Sequence, residues 1–342
     1  MNPLTLVGWG LGIALVAYAG VGVVRRWATA RGVLDLPGAR SSHERPTPRG
    51  GGLAIAAIGL VVFVIVGLGS RPRADTLLWL ALGAAIVAGV SLADDLRSLP
   101  VSIRLTAHIL GAFVVVIGIG ALSGVGLPSG RFLGLGWLAV PVTVLWVVGL
   151  TNAYNFMDGI DGIAGAQAVV AGAGWLLLAG SNPVIAVIGL VLSASSLGFL
   201  LHNWPPAKIF MGDVGSAFIG YILAVMTIIA TRSDTRLAFV GFLFVWPFVF
   251  DTVFTFLRRL RRGENVLAAH RSHLYQRLVI AGFSHRFVTL LYAALAALGV
   301  GLARIWLSKM HLAGPIVFAS LIAAGASLWG FVWWAEKAPR ST

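Results

Sequence analysis

Five aspartates stand in three short groups along a chain that has few acidic residues. Of its 342 residues, only 12 are Asp or Glu. The groups are Asp94-Asp95, Asp158 with Asp161, and Asp213. Each group lies beside an apolar stretch, where a carboxylate loses hydration energy unless it meets a cation or water. We expect the three groups to form one site for a divalent metal ion and a phosphate-bearing substrate.

The composition is that of a polytopic membrane protein. Charged residues make up 11% of the chain and hydrophobic residues 58%, whereas a soluble domain has about 25% charged residues. Eleven apolar stretches are close to the roughly 20 residues that a helix needs to cross a bilayer. They are residues 4–24, 50–69, 76–93, 105–122, 132–150, 162–179, 183–201, 214–231, 236–257, 287–307 and 312–334. No stretch alternates apolar and polar residues as the strands of a membrane barrel do. The sequence therefore predicts one all-α transmembrane domain over residues 1–342, with about 11 helices.

The distribution of basic residues predicts the orientation. Arg25-Arg26 follow the first apolar stretch and no Lys or Arg precedes it, which is the wrong pattern for a cleaved signal peptide. With the amino terminus outside, the cytoplasmic segments carry 18 of the 25 Lys and Arg residues. The sequence therefore predicts an external amino terminus, a cytoplasmic carboxyl terminus and a cytoplasmic site. We attribute the basic excess to topology and anionic lipid, and expect no nucleic-acid partner.

The first cytoplasmic loop combines prolines, glycines and arginines. Pro46, Pro48 and the glycines at 50–52 exclude a regular helix and expose the backbone. Arg45 and Arg49 add charge that a phosphate or a carboxylate would bind. The alternative is a loop that only sets the topology.

The adjacent carboxylates of Asp94-Asp95 close the third apolar stretch. They repel one another, and the carboxyl end of a helix already disfavours negative charge. A bound Mg²⁺ or a transferable proton would relieve both effects. The alternative is a solvated helix end with Arg97 as the local partner.

The third cytoplasmic loop contains the most specific polar run. Asn152, Asn155, Asp158 and Asp161 recur every three residues, so they would share one helical face until the Asp-Gly pairs end the helix. Their amide and carboxylate oxygens suit a hard cation that keeps several waters. The alternative is a structural calcium loop or a polar hairpin, although the spacing excludes an EF-hand.

Asp213 begins the eighth apolar segment, after Pro205-Pro206 end the seventh. As an N-cap its carboxylate would accept unpaired backbone amides, and this structural role is the alternative to a role in the site. The same geometry would expose backbone N–H groups and Ser216 to a phosphate, with Lys208 as the counter-charge.

The last cytoplasmic loop contains His270, Arg271, His273 and Arg277 at spacings of three and four residues. On one side of a short helix these side chains would form a clamp for phosphates. The alternative is attachment of the loop to the membrane surface. Asp251, late in the ninth apolar stretch, is either a helix-packing residue or a site residue.

Together these motifs resemble one family. Asp94-Asp95, the run from Asn152 to Gly162 and the run from Pro206 to Ser216 occur in the order typical of the polyprenyl-phosphate N-acetylhexosamine-1-phosphate transferases. This is glycosyltransferase family 4, which includes the phospho-MurNAc-pentapeptide translocase, and the resemblance spans almost the whole chain. It implies transfer of a sugar-1-phosphate from a UDP-sugar to a membrane polyprenyl phosphate, with UMP as the second product. It also implies Mg²⁺, or Mn²⁺, as the cofactor.

By resemblance, Asn155 and Asp213 hold the metal. The resemblance places Asp94 and Asp95 close to the reacting phosphates. It places Asp158 and Asp161 on the side of the site where the nucleotide binds. Catalytic roles are expected of Asp94, Asp95, Asp158, Asp161 and His273. Substrate-binding roles are expected of Asn152, Lys208, Ser216, Arg45, Arg49, His270 and Arg271.

One departure from the family pattern bears on the substrate. Many relatives carry His-x-His-His in the last loop, whereas this chain, aligned on His273, has Tyr275 and Gln276 at the second and third histidines. The departure favours priming of O-antigen or another surface polysaccharide with a simple N-acetylated hexosamine. The alternatives are the peptidoglycan phospho-MurNAc-pentapeptide transferase and a membrane lipid transporter. The resemblance further implies an undecaprenyl carrier, a bacterial inner membrane and a homodimer.

Overall fold

Long apolar helices form almost the entire fold. The computed structural model describes residues 3–37, 45–69, 74–180, 182–266, 268, 270–308 and 310–338. Within these ranges the α-helices are α1 Pro3–Arg31, α2 Gly52–Gly69, α3 Ala74–Arg97, α4 Val101–Gly118, α5 Ala139–Met157, α6 Ile163–Leu178, α7 Pro183–Asn203, α8 Asp213–Thr231, α9 Leu237–Arg261, α10 Leu274–Ile280, α11 His285–Leu307 and α12 Ala313–Lys337.

Each of the eleven predicted apolar stretches overlaps one of these helices. In the described part of the chain, ten helices are long and apolar enough to cross a membrane. The eleventh, α6, has 16 residues, which is about 24 Å of helix at 1.5 Å per residue. The helix that the apolar pattern does not predict is α10, with 7 residues. The prediction of an all-α, polytopic membrane protein is confirmed.

Two short antiparallel strand pairs accompany the helices. β1 (Leu34–Asp35) pairs with β2 (Thr47–Pro48), with Leu34 opposite Pro48. β3 (Gly124–Gly126) pairs with β4 (Phe132–Gly134). The first pair closes the base of the first loop, whose residues 38–44 lie outside the described residues.

Helix α8 forms the centre of the bundle. Every residue from Val214 to Thr231 is buried, and the helix packs against α2, α3, α5 and α9. A helix that is apolar on all sides is expected at such a central position. Its first residue, Asp213, therefore lies in the middle of one face of the bundle.

A close contact between glycines brings the first loop to the amino end of α8. A Cβ atom on Gly52 would lie only 2.2 Å from Cα of Gly215, so a side chain there would push α2 and α8 apart. Phe210 N–H donates to the carbonyl of Pro48 (2.8 Å), and Gly51 N–H donates to the carbonyl of Phe210 (2.9 Å). These bonds join the first and fourth loops of the predicted cytoplasmic set.

Contacts between helix ends bring the predicted cytoplasmic loops to one face of the bundle, here called the site face. Asp213 N–H, at the start of α8, donates to Asp95 Oδ1 at the end of α3 (2.9 Å). Gly162 N–H, just before α6, donates to Asn203 Oδ1 at the end of α7 (2.8 Å). Because the membrane helices alternate in direction, every second loop reaches this face.

Candidate functional site

A cavity of about 260 Å³ opens at the site face. Five of the predicted site residues line it, and they come from three separate loops: Arg49, Asn155, Asp158, Asp161 and Asp213. The polar lining and the size suit a small charged ligand. Membrane-helix ends that are distant in sequence thus build one concave site.

Asp95 lies behind the cavity and caps α8. Its carboxylate accepts the N–H groups of Asp213 (2.9 Å) and Val214 (3.0 Å), and it pairs with Arg49, whose Nε lies 3.1 Å away. A carboxylate in this position satisfies two unpaired helix N–H groups and complements the helix dipole. The cap predicted for Asp213 therefore comes from Asp95. Because the carboxylate occupies these N–H groups, the prediction that they face a phosphate is wrong.

Asp94 is neutralised by Arg104, near the start of α4. Arg104 Nη1 lies 3.0 Å from Asp94 Oδ2 and 3.3 Å from Asp213 Oδ2, so one guanidinium bridges two of the acidic groups. Two arginines, Arg49 and Arg104, therefore relieve the repulsion predicted for the acidic pair, whereas the alternative interpretation named Arg97 as the local partner. Sequence reasoning missed Arg104. The usable signal was its position directly before the fourth apolar stretch, which in the structure is the first turn of α4, close to the end of α3.

Asn155 and Asp213 are in contact at the cavity wall. Asn155 Nδ2 donates to Asp213 Oδ2 (3.3 Å), and Asn155 Oδ1 accepts from Ser216 Oγ (3.0 Å). Ser216 is fully buried, so its hydroxyl orients the Asn155 amide and is not open to a phosphate as predicted.

The donor set at Asn155 and Asp213 fits a hard divalent cation. Carboxylate and amide oxygens are ligands that Mg²⁺ and Mn²⁺ prefer, and Mg²⁺ usually keeps several waters. Across the described ranges, no three His, Cys, Asp or Glu side chains form a ready-made metal cluster. A cation held here would therefore take few protein ligands and complete its shell with water or phosphate oxygens.

Asp158 and Asp161 lie on the turn between α5 and α6. Since α5 ends at Met157, the prediction of one helical face for all four polar residues is wrong for these two. Asp161 Oδ2 accepts the N–H of Ala207 (3.0 Å) and lies 3.4 Å from Nδ1 of His285. His285 begins α11 and lines the cavity. Sequence reasoning missed it, although its place at the end of a predicted cytoplasmic loop was a usable signal.

Asn152 turns away from the cavity. Its Nδ2 donates to Nδ1 of His108 in α4 (3.1 Å) and to the carbonyl of Val148 (2.7 Å). Its position favours packing of α5 against α4 over direct contact with a ligand in this cavity.

Electrostatics in the cavity favour a bound cation. Burial, followed in order of effect by the carboxylates of Asp213, Asp95 and Asp161, raises the pKa of Asp158 to about 8. Like charges held close together in a partly dry site resist further ionisation unless a cation compensates them. The contributions of the three neighbouring carboxylates to this pKa show that the cavity carries a negative potential, which a cation would compensate.

The four basic residues of the last loop do not share a helix face. Because α10 begins at Leu274, His270, Arg271 and His273 precede it, and this prediction is wrong. Arg277 does lie on α10, where it pairs with Glu336 of α12 at 2.6–2.7 Å. Burial, followed by the charges of neighbouring groups, lowers the pKa of His270 to about 4. At neutral pH this imidazole adds no positive charge to a clamp.

Tyr275 and Gln276, the residues at the two replaced histidines, hold α10 against the Asp158 turn. Tyr275 Oη donates to the carbonyl of Phe156 (3.0 Å). A Cβ atom on Gly159 would lie 2.1 Å from this Oη, so the close approach requires glycine. Gln276 lines the cavity, and its Oε1 accepts from His273 N–H (3.3 Å).

The remaining predicted residues lie at different distances from the cavity. Within the described structure, nine of them do not line it: Asp94, Asp95, Asn152, Lys208, Ser216, Arg45, His270, Arg271 and His273. Arg45 and Lys208 are exposed, and His273 is buried. Among the described residues, the predicted acidic and amide side chains that line the cavity are Asn155, Asp158, Asp161 and Asp213, and Arg49 is the only predicted basic residue that does so.

Comparisons with known proteins agree with this architecture. Residues 77–231 match glycosyl transferase family 4. A probable undecaprenyl-phosphate N-acetylglucosaminyl 1-phosphate transferase of Bacillus subtilis is 34% identical over 319 residues, which cover 88% of this chain and 86% of that protein.

Two further relatives match most of the chain. The decaprenyl-phosphate N-acetylglucosaminephosphotransferase of Mycobacterium tuberculosis is 31% identical over 366 residues, covering 96% of this chain and 89% of that protein. A phospho-N-acetylmuramoyl-pentapeptide-transferase of a Synechococcus species is 31% identical over 327 residues, covering 90% of this chain and 93% of that protein. Because these similarities extend over nearly the whole bundle and its loops, the chain belongs to glycosyl transferase family 4.

Proposed function

We propose that the protein transfers an N-acetylhexosamine-1-phosphate from a UDP-sugar to polyprenyl phosphate, with Mg²⁺ held by Asn155 and Asp213. The observation that carries the proposal is that Asn155 and Asp213 lie side by side in a cavity at the end of a membrane bundle, with Asn155 Nδ2 3.3 Å from Asp213 Oδ2. The named relatives act on undecaprenyl or decaprenyl phosphate with N-acetylglucosamine phosphate, which supports the same substrate class here.

The proposed chemistry is a phosphoryl transfer. An oxygen of the lipid phosphate attacks the β-phosphorus of the UDP-sugar, and a new P–O bond forms. The bond from that phosphorus to the bridging oxygen breaks, and UMP leaves with the bonding electrons. The bound Mg²⁺ would neutralise charge on the diphosphate and on the leaving UMP, which is the usual source of acceleration in such reactions.

Side chains of this chain would position the two substrates. Arg49 lines the cavity and is held by Asp95, so it offers a fixed positive charge to a phosphate. Arg104 supplies a second charge beside Asp213. The acceptor's hydrocarbon chain would stay among apolar helices while its phosphate reaches the helix ends, where a charged nucleotide arrives from water.

The direct test is transfer of radiolabel from a panel of UDP-sugars into butanol-extractable lipid by the purified, full-length protein. With undecaprenyl phosphate and Mg²⁺, we expect labelled lipid and released UMP from UDP-N-acetylglucosamine or a related simple hexosamine donor. Labelled lipid from UDP-MurNAc-pentapeptide alone would indicate the peptidoglycan reaction. Movement of unmodified lipid between leaflets, without product from any donor, would indicate a transporter.

We also propose that the site face is cytoplasmic, in the inner membrane of a bacterium, where the lipid product would prime O-antigen or another surface polysaccharide. The support is the positive-inside bias, because the segments that the sequence assigns to the cytoplasm contain 18 of the 25 Lys and Arg residues. The carboxyl end of α12 lies on the same face, since Glu336 pairs with Arg277. A reporter fused to the carboxyl terminus therefore shows on which side of the membrane the site lies.

Carboxyl-terminal fusions are expected to be active with a cytoplasmic fluorescent reporter and inactive with alkaline phosphatase, which needs export. A fusion after α11, on the opposite face, is the matched control and should give the reverse result. Phosphatase activity at the carboxyl terminus would mean that the site faces outward.

A further inference from the structure

Gln276 brings the short helix α10 to the cavity. The residue lines the cavity, and only 9% of its surface is exposed. Its place is fixed from behind, because the N–H groups of Leu274 and Tyr275 donate to the buried carboxylate of Asp251 in α9 (2.8 and 3.1 Å). These first N–H groups of α10 have no carbonyl partner within the helix. The start of α10, and with it the position of Gln276, is therefore held by a contact with α9.

Two neighbours determine which end of the Gln276 amide faces each of them. The N–H of His273 is a donor and lies 3.3 Å from Oε1. On the other side, Tyr275 Oη donates its hydrogen to the carbonyl of Phe156 (3.0 Å), so it can offer only a lone pair to the neighbouring amide. Both contacts place the NH2 group on the side of Gly159, where an added Cβ atom would lie 3.4 Å from Nε2.

The NH2 group of Gln276 has one hydrogen to spare. It carries two hydrogens, and a single hydroxyl oxygen, that of Tyr275, can accept only one of them. Within the described part of the chain, no other oxygen pairs with this group. Because Gln276 and Gly159 both line the cavity, the second hydrogen is available to a molecule bound there. Buried polar groups are normally bonded to protein, water or ligand.

The other cavity residues indicate which part of a ligand would meet this amide. In the proposed function, the diphosphate meets the cation at Asn155 and Asp213 and the guanidinium of Arg49. Gln276 instead faces Gly159, on the turn between α5 and α6. An amide N–H is an uncharged donor that suits carbonyl and hydroxyl oxygens, and both the sugar and the nucleoside carry such oxygens.

We propose that Gln276 is a specificity-determining residue whose Nε2 donates a hydrogen bond to an uncharged oxygen of the UDP-sugar, on the sugar or on the nucleoside. The inference rests on the proposed function, because it takes a UDP-sugar as the ligand. It concerns the position at which this chain departs from the histidine of many relatives. An imidazole changes its number of donors near neutral pH, whereas the amide remains a donor at every pH.

The first test is spectroscopic and needs no turnover. The full-length protein is labelled with ¹⁵N in the glutamine side chains, of which the chain has only two, Gln167 and Gln276. Gln167 is buried in α6 and donates to the carbonyl of Phe244 (2.6 Å), so it serves as the internal control. With Mg²⁺ and saturating UDP-N-acetylglucosamine, we expect the Gln276 NH2 signal to shift and the Gln167 signal to stay. An unchanged Gln276 signal at saturation would overturn the proposal.

Titrations with uridine, UMP, UDP and UDP-N-acetylglucosamine, each at saturating concentration, locate the accepting oxygen. A Gln276 shift produced by uridine places the oxygen on the nucleoside, and a shift that first appears with the UDP-sugar places it on the sugar. A shift that first appears with UMP or UDP would assign a phosphate oxygen and would overturn the choice of an uncharged one.

The second test measures affinity by calorimetry in two variants. Gln276→Met removes the donor without adding charge, and Gln276→Glu keeps an oxygen for the His273 N–H but replaces the NH2 group by an acceptor. We expect each to raise the Kd for UDP-N-acetylglucosamine about tenfold. Their loss of one signal also assigns the ¹⁵N spectrum, and the midpoint of thermal denaturation shows that each variant is folded.

Arg277→Gln is the matched control for a displaced α10. Arg277 lies on the same helix and pairs with Glu336 of α12, outside the cavity. Its Kd should stay within about twofold of the wild type. Normal affinity in Gln276→Met with weak binding in Gln276→Glu would show an effect of charge alone and would overturn the donor role.

Failure of this inference can be distinguished from failure of the proposed function. If the wild-type protein binds and transfers the sugar, but neither the Gln276 signal nor the affinity of the variants responds, only the role of Gln276 is rejected. If the folded wild-type protein binds no UDP-sugar in the presence of Mg²⁺, the proposed function is rejected and this inference with it.

Discussion

Removal of divalent cations is expected to abolish transfer of sugar phosphate to lipid. Asn155 and Asp213 offer only hard oxygen donors, and the chain has no cysteine that could hold a softer metal. Two phosphate-bearing substrates would otherwise bring more negative charge to a cavity in which the pKa of Asp158 is already raised. The measurement is labelled-lipid formation after EDTA treatment, followed by titration with Mg²⁺ or Mn²⁺, either of which should restore activity. Full activity in chelator would reject the metal site.

The same treatment should leave the fold intact. Asp94 and Asp95 are neutralised by Arg104 and Arg49, so the bundle does not rely on a metal to relieve their repulsion. Thermal denaturation of the substrate-free protein should therefore have the same midpoint with EDTA and with Mg²⁺. A large fall of the midpoint in EDTA would show that the ion is structural and would contradict the separate neutralisation of the acidic pair.

The sequence predicts the architecture well because that architecture depends on local properties. The length and apolarity of each stretch specify a membrane helix, whatever its neighbours are. Even α6, with 16 residues, is visible as an apolar run between polar turns. The collection of acidic and amide residues on one face follows from the alternation of helix direction. Asn155 and Asp213, which the resemblance assigns to one metal ion, are in contact, although their role at a metal stays a prediction.

Individual partners could not be predicted in this way, because they depend on the packing of elements distant in sequence. Asp95 was expected to need a metal or a proton, yet its partners are Arg49 and the first N–H groups of α8. Arg104 is one of the basic residues that the sequence analysis attributes as a group to topology, yet it bridges two carboxylates. The spacing of the basic residues in the last loop could not predict where α10 begins, because the first N–H groups of this helix, those of Leu274 and Tyr275, donate to Asp251 of α9.

Asp213→Asn is expected to lower kcat about 100-fold or more, on the scale of losing one essential electrostatic group. The substitution keeps the shape of the side chain and removes the charge that would bind the cation. Because Asp95 provides the cap of α8, the amide should leave the fold intact. The measurements are kcat in the transfer assay and the midpoint of thermal denaturation. A folded variant with normal kcat would remove Asp213 from the metal site.

Asp95→Asn is the informative comparison with Asp213→Asn. The same replacement of a carboxylate by an amide should lower the stability of the fold at Asp95, whereas at Asp213 it should lower kcat. The Asp95 carboxylate accepts through Oδ1 from Asp213 N–H and through Oδ2 from Val214 N–H, and its charge also pairs with Arg49. An amide has one accepting oxygen, so a donor would face a donor in a buried position, at a cost of about 1–3 kcal/mol in the free energy of unfolding. Asp234→Asn is the matched control, because Asp234 pairs with Arg236 in the loop before α9, on the opposite face. This substitution should change neither kcat nor the denaturation midpoint appreciably. If Asp213→Asn lowers the denaturation midpoint and Asp95→Asn does not, the structural and metal-binding assignments of these two residues must be exchanged.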